Sequence, residues 1–146
     1  MDDLDRKIIT SLSADARMPY SRIAEEAGVA TTTVHQRVKR LTERGVIVGS
    51  RVRLDWEQIG LPVTAVVSVE APDAPLSGVA DELRAIPEIQ SCFAVTGEFD
   101  LLLIVRARSS EHLGQLLDDI RSHAPGRSRT IVVLASYFEG RVPPIA

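Results

Sequence analysis

The chain has few of the residues that build stapled or metal-bound folds. Among 146 residues there is one cysteine, Cys92, and there are three histidines, His35, His112 and His123. A single thiol excludes an internal disulfide and leaves no cysteine pair for a metal. Cys92 lies in an apolar strand pattern and reads as a packing residue. The histidines are scattered, so no metal site is expected. Cys92, His112 and His123 make a poor nucleophile and base set, because both histidines fall in a helix pattern. Catalysis and a cofactor are therefore not expected. Long apolar runs are also missing: Leu101 to Val105 is only a short buried-strand pattern, far from the length needed to span a bilayer. With no basic apolar leader at its start, the chain is expected to be cytoplasmic.

What is present suits a soluble globular protein of one ordinary domain or two small ones, with 45% hydrophobic and 25% charged residues. The net charge of -3 argues against a nucleic-acid partner, but it hides an asymmetry. Residues 1–53 carry a net charge of +3 and residues 54–146 one of -6. Arg37, Lys39, Arg40, Arg44, Arg51 and Arg53 fall in one short stretch interrupted by a single acid, Glu43, which makes a local cationic patch.

The N-terminal third reads as three helices. Leu4, Ile8, Ile9 and Leu12 recur at helical spacing, with Asp2, Asp3 and Asp5 near the start, where the helix dipole favours acids. Pro19 breaks that pattern, and Ser21 to Ala27 forms a short second helix that Gly28 ends. A third helix, Thr31 to Arg44, buries Val34, Val38 and Leu41 and stops at Gly45. Val46 to Leu54, rich in Val, Ile and Arg, reads as a two-stranded wing. The expected division is a winged helix-turn-helix over 1–53, a linker over 54–62 punctuated by Gly60 and Pro62, and a second domain over 63–146.

That second domain reads as strand Val63–Glu70, a loop with Pro72 and Pro75, helix Leu76–Ala85, strand Ile89–Val95, a turn at Thr96-Gly97-Glu98, strand Phe99–Ala107, helix Glu111–His123 and strand Thr130–Tyr137. The order βαββαβ gives an α+β, ferredoxin-like antiparallel sheet with two helices on one face. Apolar side chains on both faces of Val63 to Val69 and Leu101 to Val105 predict that the helix-free face packs on a second subunit.

Two helices joined by a glycine turn are common in proteins that never touch DNA, so the polar face of the third helix has to decide. With Val34, Val38 and Leu41 buried, Thr32, Thr33, Gln36, Lys39 and Arg40 fall opposite. Gln can bond an adenine edge in two places, Arg can do so to guanine, and Thr and Lys suit phosphate oxygens. The candidate DNA contacts are Thr31, Thr32, Thr33, Gln36, Arg37, Lys39 and Arg40, with Arg51 and Arg53 on the wing. His35, near the edge of the apolar line, reads as packed or solvated.

Gly97 alone would be an ordinary tight turn. Beside it, Glu98 and Asp100 bracket Phe99. A turn with free backbone N–H groups next to carboxylates can hold both ends of a zwitterion, which points to an amino acid.

Leu4-Asp5-Arg6, Ala16-Arg17, Ile23-Ala24, Gly28-Val29, Arg37-Val38-Lys39-Arg40-Leu41 and Gly45-Val46-Ile47 resemble the DNA-binding half of Lrp/AsnC regulators. The run from Cys92 through Val95-Thr96-Gly97-Glu98-Phe99-Asp100-Leu101-Leu102 resembles the signature turn of that family's effector domain. The resemblance implies a nucleoid-associated regulator that responds to an amino acid or related metabolite, with the βαββαβ domain in the ACT-like (RAM) form. It also implies homodimers that assemble into larger rings such as tetramers or octamers. It places the effector pocket at an interface between dimers, formed by the turn, Thr96, Gly97, Glu98, Phe99 and Asp100, and a facing last strand, Thr130, Val132 and Leu134; a one-residue slip would substitute Ile131 and Val133. One position departs from the family pattern: Ala30 stands where a capping Ser is usual, and Thr31 is the nearest hydroxyl that could replace it. The rival readings are an architectural DNA binder without an effector and an amino-acid-binding regulatory domain of an enzyme.

Overall fold

A computed structural model describes residues 1–73 and 75–145. The chain divides into two compact units, one of Met1–Arg53 with the stretch from Phe138 onward and the other of Leu54–Tyr137. Residues 54–62, expected as a linker, therefore group with the second unit, and the last residues group with the first.

The first unit is built on α1 (Asp3–Ala14), α2 (Tyr20–Ala27) and α3 (Thr31–Glu43). Asp2 caps α1 by accepting from the Asp5 N–H at 2.9 Å, and the Asp5 carboxylate accepts from the Asp2 N–H in return, which completes a capping box. Pro19 precedes α2 without donating a side-chain cap. Gly28 ends α2 in the left-handed region, at φ 67° and ψ 35°. Ile8, Ile23, Ala24, Val34 and Leu41 form the core, packed round by Leu4, Ile9, Leu12, Met18, Tyr20, Val29, Val38 and Ile47. The three helices and their apolar stripes lie where periodicity puts them.

The wing does not form. No strand occupies Val46 to Leu54; Val48 and Val52 are exposed, and Gly49 sits at φ 153°. Ile47 packs on the helical core, but an isolated two-stranded hairpin is marginal at best, and the exposed valines beyond it gain no packing from pairing. The Val-rich pattern records β propensity without a pairing partner inside the chain.

The second unit orders β1 (Val63–Val69), α4 (Leu76–Leu83), β2 (Ile89–Ala94), β3 (Leu101–Ala107), α5 (Ser110–His123) and β4 (Ser128–Val132). The sheet runs β2-β3-β1-β4, with every neighbouring pair antiparallel. Ala65, Val67 and Val69 of β1 and Leu101, Leu103 and Val105 of β3 share the covered face with Leu83, Leu113, Leu116 and Ile120 of the helices. Period-2 alternation sends Val66, Leu102 and Ile104 to the other face. Phe93 is 52% and Ile131 55% exposed there, opposite Leu102 and Val66 respectively. β4 stops five residues before the expected end at Tyr137. The Val133 N–H still reaches the Thr64 carbonyl at 2.9 Å, but β1 starts at Val63, so the apolar residues beyond have no backbone left to pair with. Cys92 packs half-buried against the core, and burial pushes its thiol pKa up, which suits a packing residue.

Gly28 is the clearest local test of this fold. Nothing crowds its Cα, so Gly28→Ala imposes only the left-handed backbone cost, about 1 kcal/mol. Urea unfolding followed by helical circular dichroism should show the first unit destabilised by that amount and the second unchanged.

Candidate functional site

α3 begins at Thr31 with Ala30 as its N-cap, and no side chain caps it. The Thr33 and Val34 N–H groups turn back to the Ala30 carbonyl, at 2.9 and 3.4 Å, which leaves those of Thr31 and Thr32 without an intrahelical acceptor. Thr31 does not take over the capping role. Thr32, Gln36 and Lys39 are exposed on one side of the helix, while Thr31 and Thr33 are half-buried. Lys39 only approaches Glu43, at 3.8 Å. His35 is exposed, with its ring edge-on to Tyr20 and the centroids 4.6 Å apart. Arg51 and Arg53, in the irregular segment after α3, line a groove of about 580 Å³ with Tyr20, Val38 and Thr42.

Two arginines expected to face DNA are engaged elsewhere. Asp5 is 1% exposed, and its carboxylate accepts from Arg37 Nη1 at 3.0 Å and from Arg40 Nη2 at 3.1 Å. Arg37 also bonds Asp2. Burial alone would raise the Asp5 pKa, but the Arg37 hydrogen bond, the Asp2 N–H and the Arg40 charge outweigh it and hold the carboxyl below its usual range. Asp2 is lowered to about 2, chiefly by its Arg37 hydrogen bond and then by the Asp5 N–H. The Arg37 side chain is 27% exposed and committed to α1; that of Arg40, at 47%, keeps a free flank. The capping acids of α1 thus hold α3 by its basic flank, a role that Asp2 and Asp5 did not signal beyond their place in a first turn.

The turn between β2 and β3 is held by its backbone. The Val95 N–H donates to the Asp100 carbonyl and the Asp100 N–H to the Val69 carbonyl, each at 3.0 Å, while Asp100 Oδ2 accepts from the Ala71 N–H at 2.8 Å. Asp100 therefore ties the turn to the end of β1. Thr96 and Gly97 are exposed, and Gly97 adopts φ 120°, where a side chain would be strained. Glu98 pairs with Arg127, and Phe99 lies beneath the guanidinium groups of Arg127 and Arg129. Neither arginine was singled out from sequence. Their spacing of two at the foot of a strand, behind Pro125-Gly126, was the available signal.

On the last strand, Thr130 pairs with Val67 and Val132 with Ala65, so both lie on the helix-covered side of the sheet. Leu134 is beyond the end of β4 and 97% exposed. Within one chain, the β4-side residues that meet Glu98 and Phe99 of the turn are Arg127 and Arg129. Among the described residues, no group of three or more His, Cys, Asp or Glu could hold a metal ion, and no helix is long and apolar enough to cross a membrane.

Two domain families match the chain: the AsnC-type helix-turn-helix domain over residues 1–42 and the Lrp/AsnC ligand binding domain over residues 64–143. The HTH-type transcriptional regulator LrpA of Mycobacterium tuberculosis is 36% identical over 143 residues, covering 97% of this chain and 95% of that protein. The HTH-type transcriptional regulator FL11 of Pyrococcus horikoshii is 34% identical over 147 residues, covering 99% and 97%. Of solved structures, the feast or famine regulatory protein of M. tuberculosis complexed with L-methionine matches with a TM-score of 0.93 at 34% identity over 99% of both chains. AsnC of E. coli matches at 0.89 with 25% identity, also over 99% of both.

The Asp5 network yields a stability test and an acid test. Asp5→Ala opens the capping box and leaves two partly exposed arginines to solvent, which should cost the first unit about 1–2 kcal/mol in urea titration. Both carboxyls titrate lower when folded than the ordinary 3.8, so the unfolded chain binds more protons in acid. Their stabilisation is complete above about pH 4 and fades as pH falls toward about 2, the folded value of Asp2. Helical signal from the first unit should weaken across that window in wild type, and Asp5→Ala should flatten the dependence.

Proposed function

Because the chain belongs to the Lrp/AsnC family of transcriptional regulators, we propose that α3 enters the major groove with Thr32, Gln36 and Lys39 toward the bases and phosphates. The protein is a DNA-binding transcription regulator and not an enzyme. The observation that carries the groove assignment is the exposed polar face of α3, set opposite buried Val34 and Leu41. The uncapped N–H groups of Thr31 and Thr32 suit a phosphate oxygen at the helix N-terminus. Arg51 and Arg53 lie on a segment free of regular structure and supply backbone contacts; Arg40 contributes only its exposed flank. A nucleoid-associated, cytoplasmic location goes with that role.

In the second unit we assign amino-acid sensing to the turn at residues 96–100. Support comes from the related regulator solved with L-methionine, at 34% identity, and from the charged groups gathered at this turn. The apolar helix-free face, with Val66, Leu102, Ile104, Phe93 and Ile131, suits a second copy of the chain, because an isologous contact buries that face on both subunits at once. Sensing then works through assembly. An amino acid bound between subunits favours one arrangement of dimers and so decides which DNA half-sites are engaged together, provided its affinity differs between arrangements.

Gel shifts on the DNA upstream of the protein's own coding sequence test the DNA side. Gln36→Ala should weaken specific binding by about 1–3 kcal/mol and relax preference at one position. Arg51→Ala should weaken all sequences alike and reduce the slope of log K against log salt by about 0.9. If Gln36→Ala leaves sequence preference intact, the register of α3 in the groove is wrong. A thermal-shift screen over the amino acids tests the sensing side: one or a few should raise the unfolding temperature, whereas a flat response across all of them favours an architectural DNA binder without an effector.

A further inference from the structure

In the first unit, the acids that open α1 meet the arginines along one edge of α3. Asp5 Oδ1 accepts from Arg37 Nη1 at 3.0 Å, Asp5 Oδ2 accepts from Arg40 Nη2 at 3.1 Å, and Asp2 also accepts from Arg37. Arg40 lies about 40° and Arg37 about 100° round the helix from Gln36, so both border the face proposed to read bases. Side chains of that length suit phosphate oxygens at the edge of a groove. Here they turn to α1 instead. The Asp5 side chain keeps 1% of its surface and that of Asp2 52%.

The fold does not need both negative charges. The capping box needs a side-chain oxygen at residues 2 and 5, which an amide supplies as a carboxylate does. Val34 and Leu41 already hold α3 to the core. Arg37 and Arg40 keep part of their surface in solvent, and pairs of that exposure add little to stability. What the two acids do change is the set of cations offered to DNA. Lys39, Arg44, Arg51 and Arg53 are exposed, whereas Arg37 and Arg40 are answered within the protein. Phosphate contacts carry no sequence information, and each one strengthens binding to any duplex.

We propose that Asp2 and Asp5 form a charge gate that withholds Arg37 and Arg40 from DNA phosphates and so limits sequence-independent binding. The base-reading residues then supply a larger share of the affinity. The regulator is held less by bulk DNA, whose sites far outnumber its own. This role rests on the placing of α3 in the major groove given above.

Salt titrations of binding to a random-sequence duplex test it, with the full-length protein and with folding checked by circular dichroism. Asp5→Asn keeps an oxygen for the capping box and frees Arg40. It should tighten that binding several-fold and steepen the slope of log K against log salt by up to about 0.9, one phosphate contact. Adding Arg40→Gln should return the slope to that of wild type. Asp3→Asn is the control: it makes the same change of net charge in the same turn, where Asp3 pairs with Arg6 of its own helix at 2.9 Å, and it should shift the slope far less. If Asp5→Asn behaves as Asp3→Asn does, weakens binding, or stays steep after Arg40→Gln, the gate is overturned and the acids are only braces. Should Asp5→Asn not fold, Asp2→Asn with and without Arg37→Gln decides in the same way, because Asn keeps the N-cap. Gln36→Ala on the upstream DNA separates the two levels. An unchanged sequence preference overturns the groove register and the gate with it, while acid variants that fail beside a normal Gln36→Ala effect overturn the gate alone.

Discussion

A carboxylate with 1% of its surface exposed must be met by positive charge, and in the first unit that requirement organises the rest. Asp5 sits in the first turn of α1, in the capping box, and draws Arg37 and Arg40 out of the basic face of α3. The helix is thereby tied to α1 at its flank while Val34 and Leu41 tie it through the core. The same contacts decide what is left over. Thr32, Gln36 and Lys39 are not spent on the fold, and the local cationic patch is smaller than its residue list suggests. A basic helix face is therefore a composite: part of its charge serves the protein's own acids.

This division explains what the sequence could and could not disclose. Helix periodicity placed Val34, Val38 and Leu41 correctly because burial of an apolar stripe is a local pattern with a long-range consequence. It could not place Arg37 and Arg40, since their partners lie 32 and 35 residues earlier and a carboxylate in a first helical turn usually serves only the dipole. The Ala30 departure was visible, and its consequence is an uncapped α3. The wing failed for the opposite reason: Val46 to Leu54 has strand composition, but composition carries no information about whether a partner strand exists.

In the second unit, β1 is the strand on which legibility turns. It pairs on both sides, with β3 and β4, so its alternation sets the facing of the whole sheet. The order βαββαβ and the two apolar faces could be read from period-2 and period-3.6 patterns alone. The end of β4 could not, because it depends on where β1 begins. Thr130 and Val132 pair with Val67 and Ala65 and so share the helix-covered side of the sheet. The charged groups beside the turn come from residues 70, 127 and 129, which meet only once β1 and β4 are in register.

The sensing role proposed for the turn also limits how a bound amino acid can affect DNA binding. A zwitterion with an uncharged side chain carries no net charge, so its binding leaves the net charge of the protein unchanged. Fields from exposed charges fade over about 8–10 Å at physiological salt. A neutral ligand therefore changes little of the field on which DNA binding depends. The route proposed above is the arrangement of subunits, since a bound ligand can shift an equilibrium only by its differential affinity for two arrangements. A response carried that way depends on the spacing of DNA half-sites, because each arrangement of dimers presents its recognition helices at a different separation. Sites bound by a single dimer would then be insensitive to the amino acid, and sites spanning two dimers would carry the whole response.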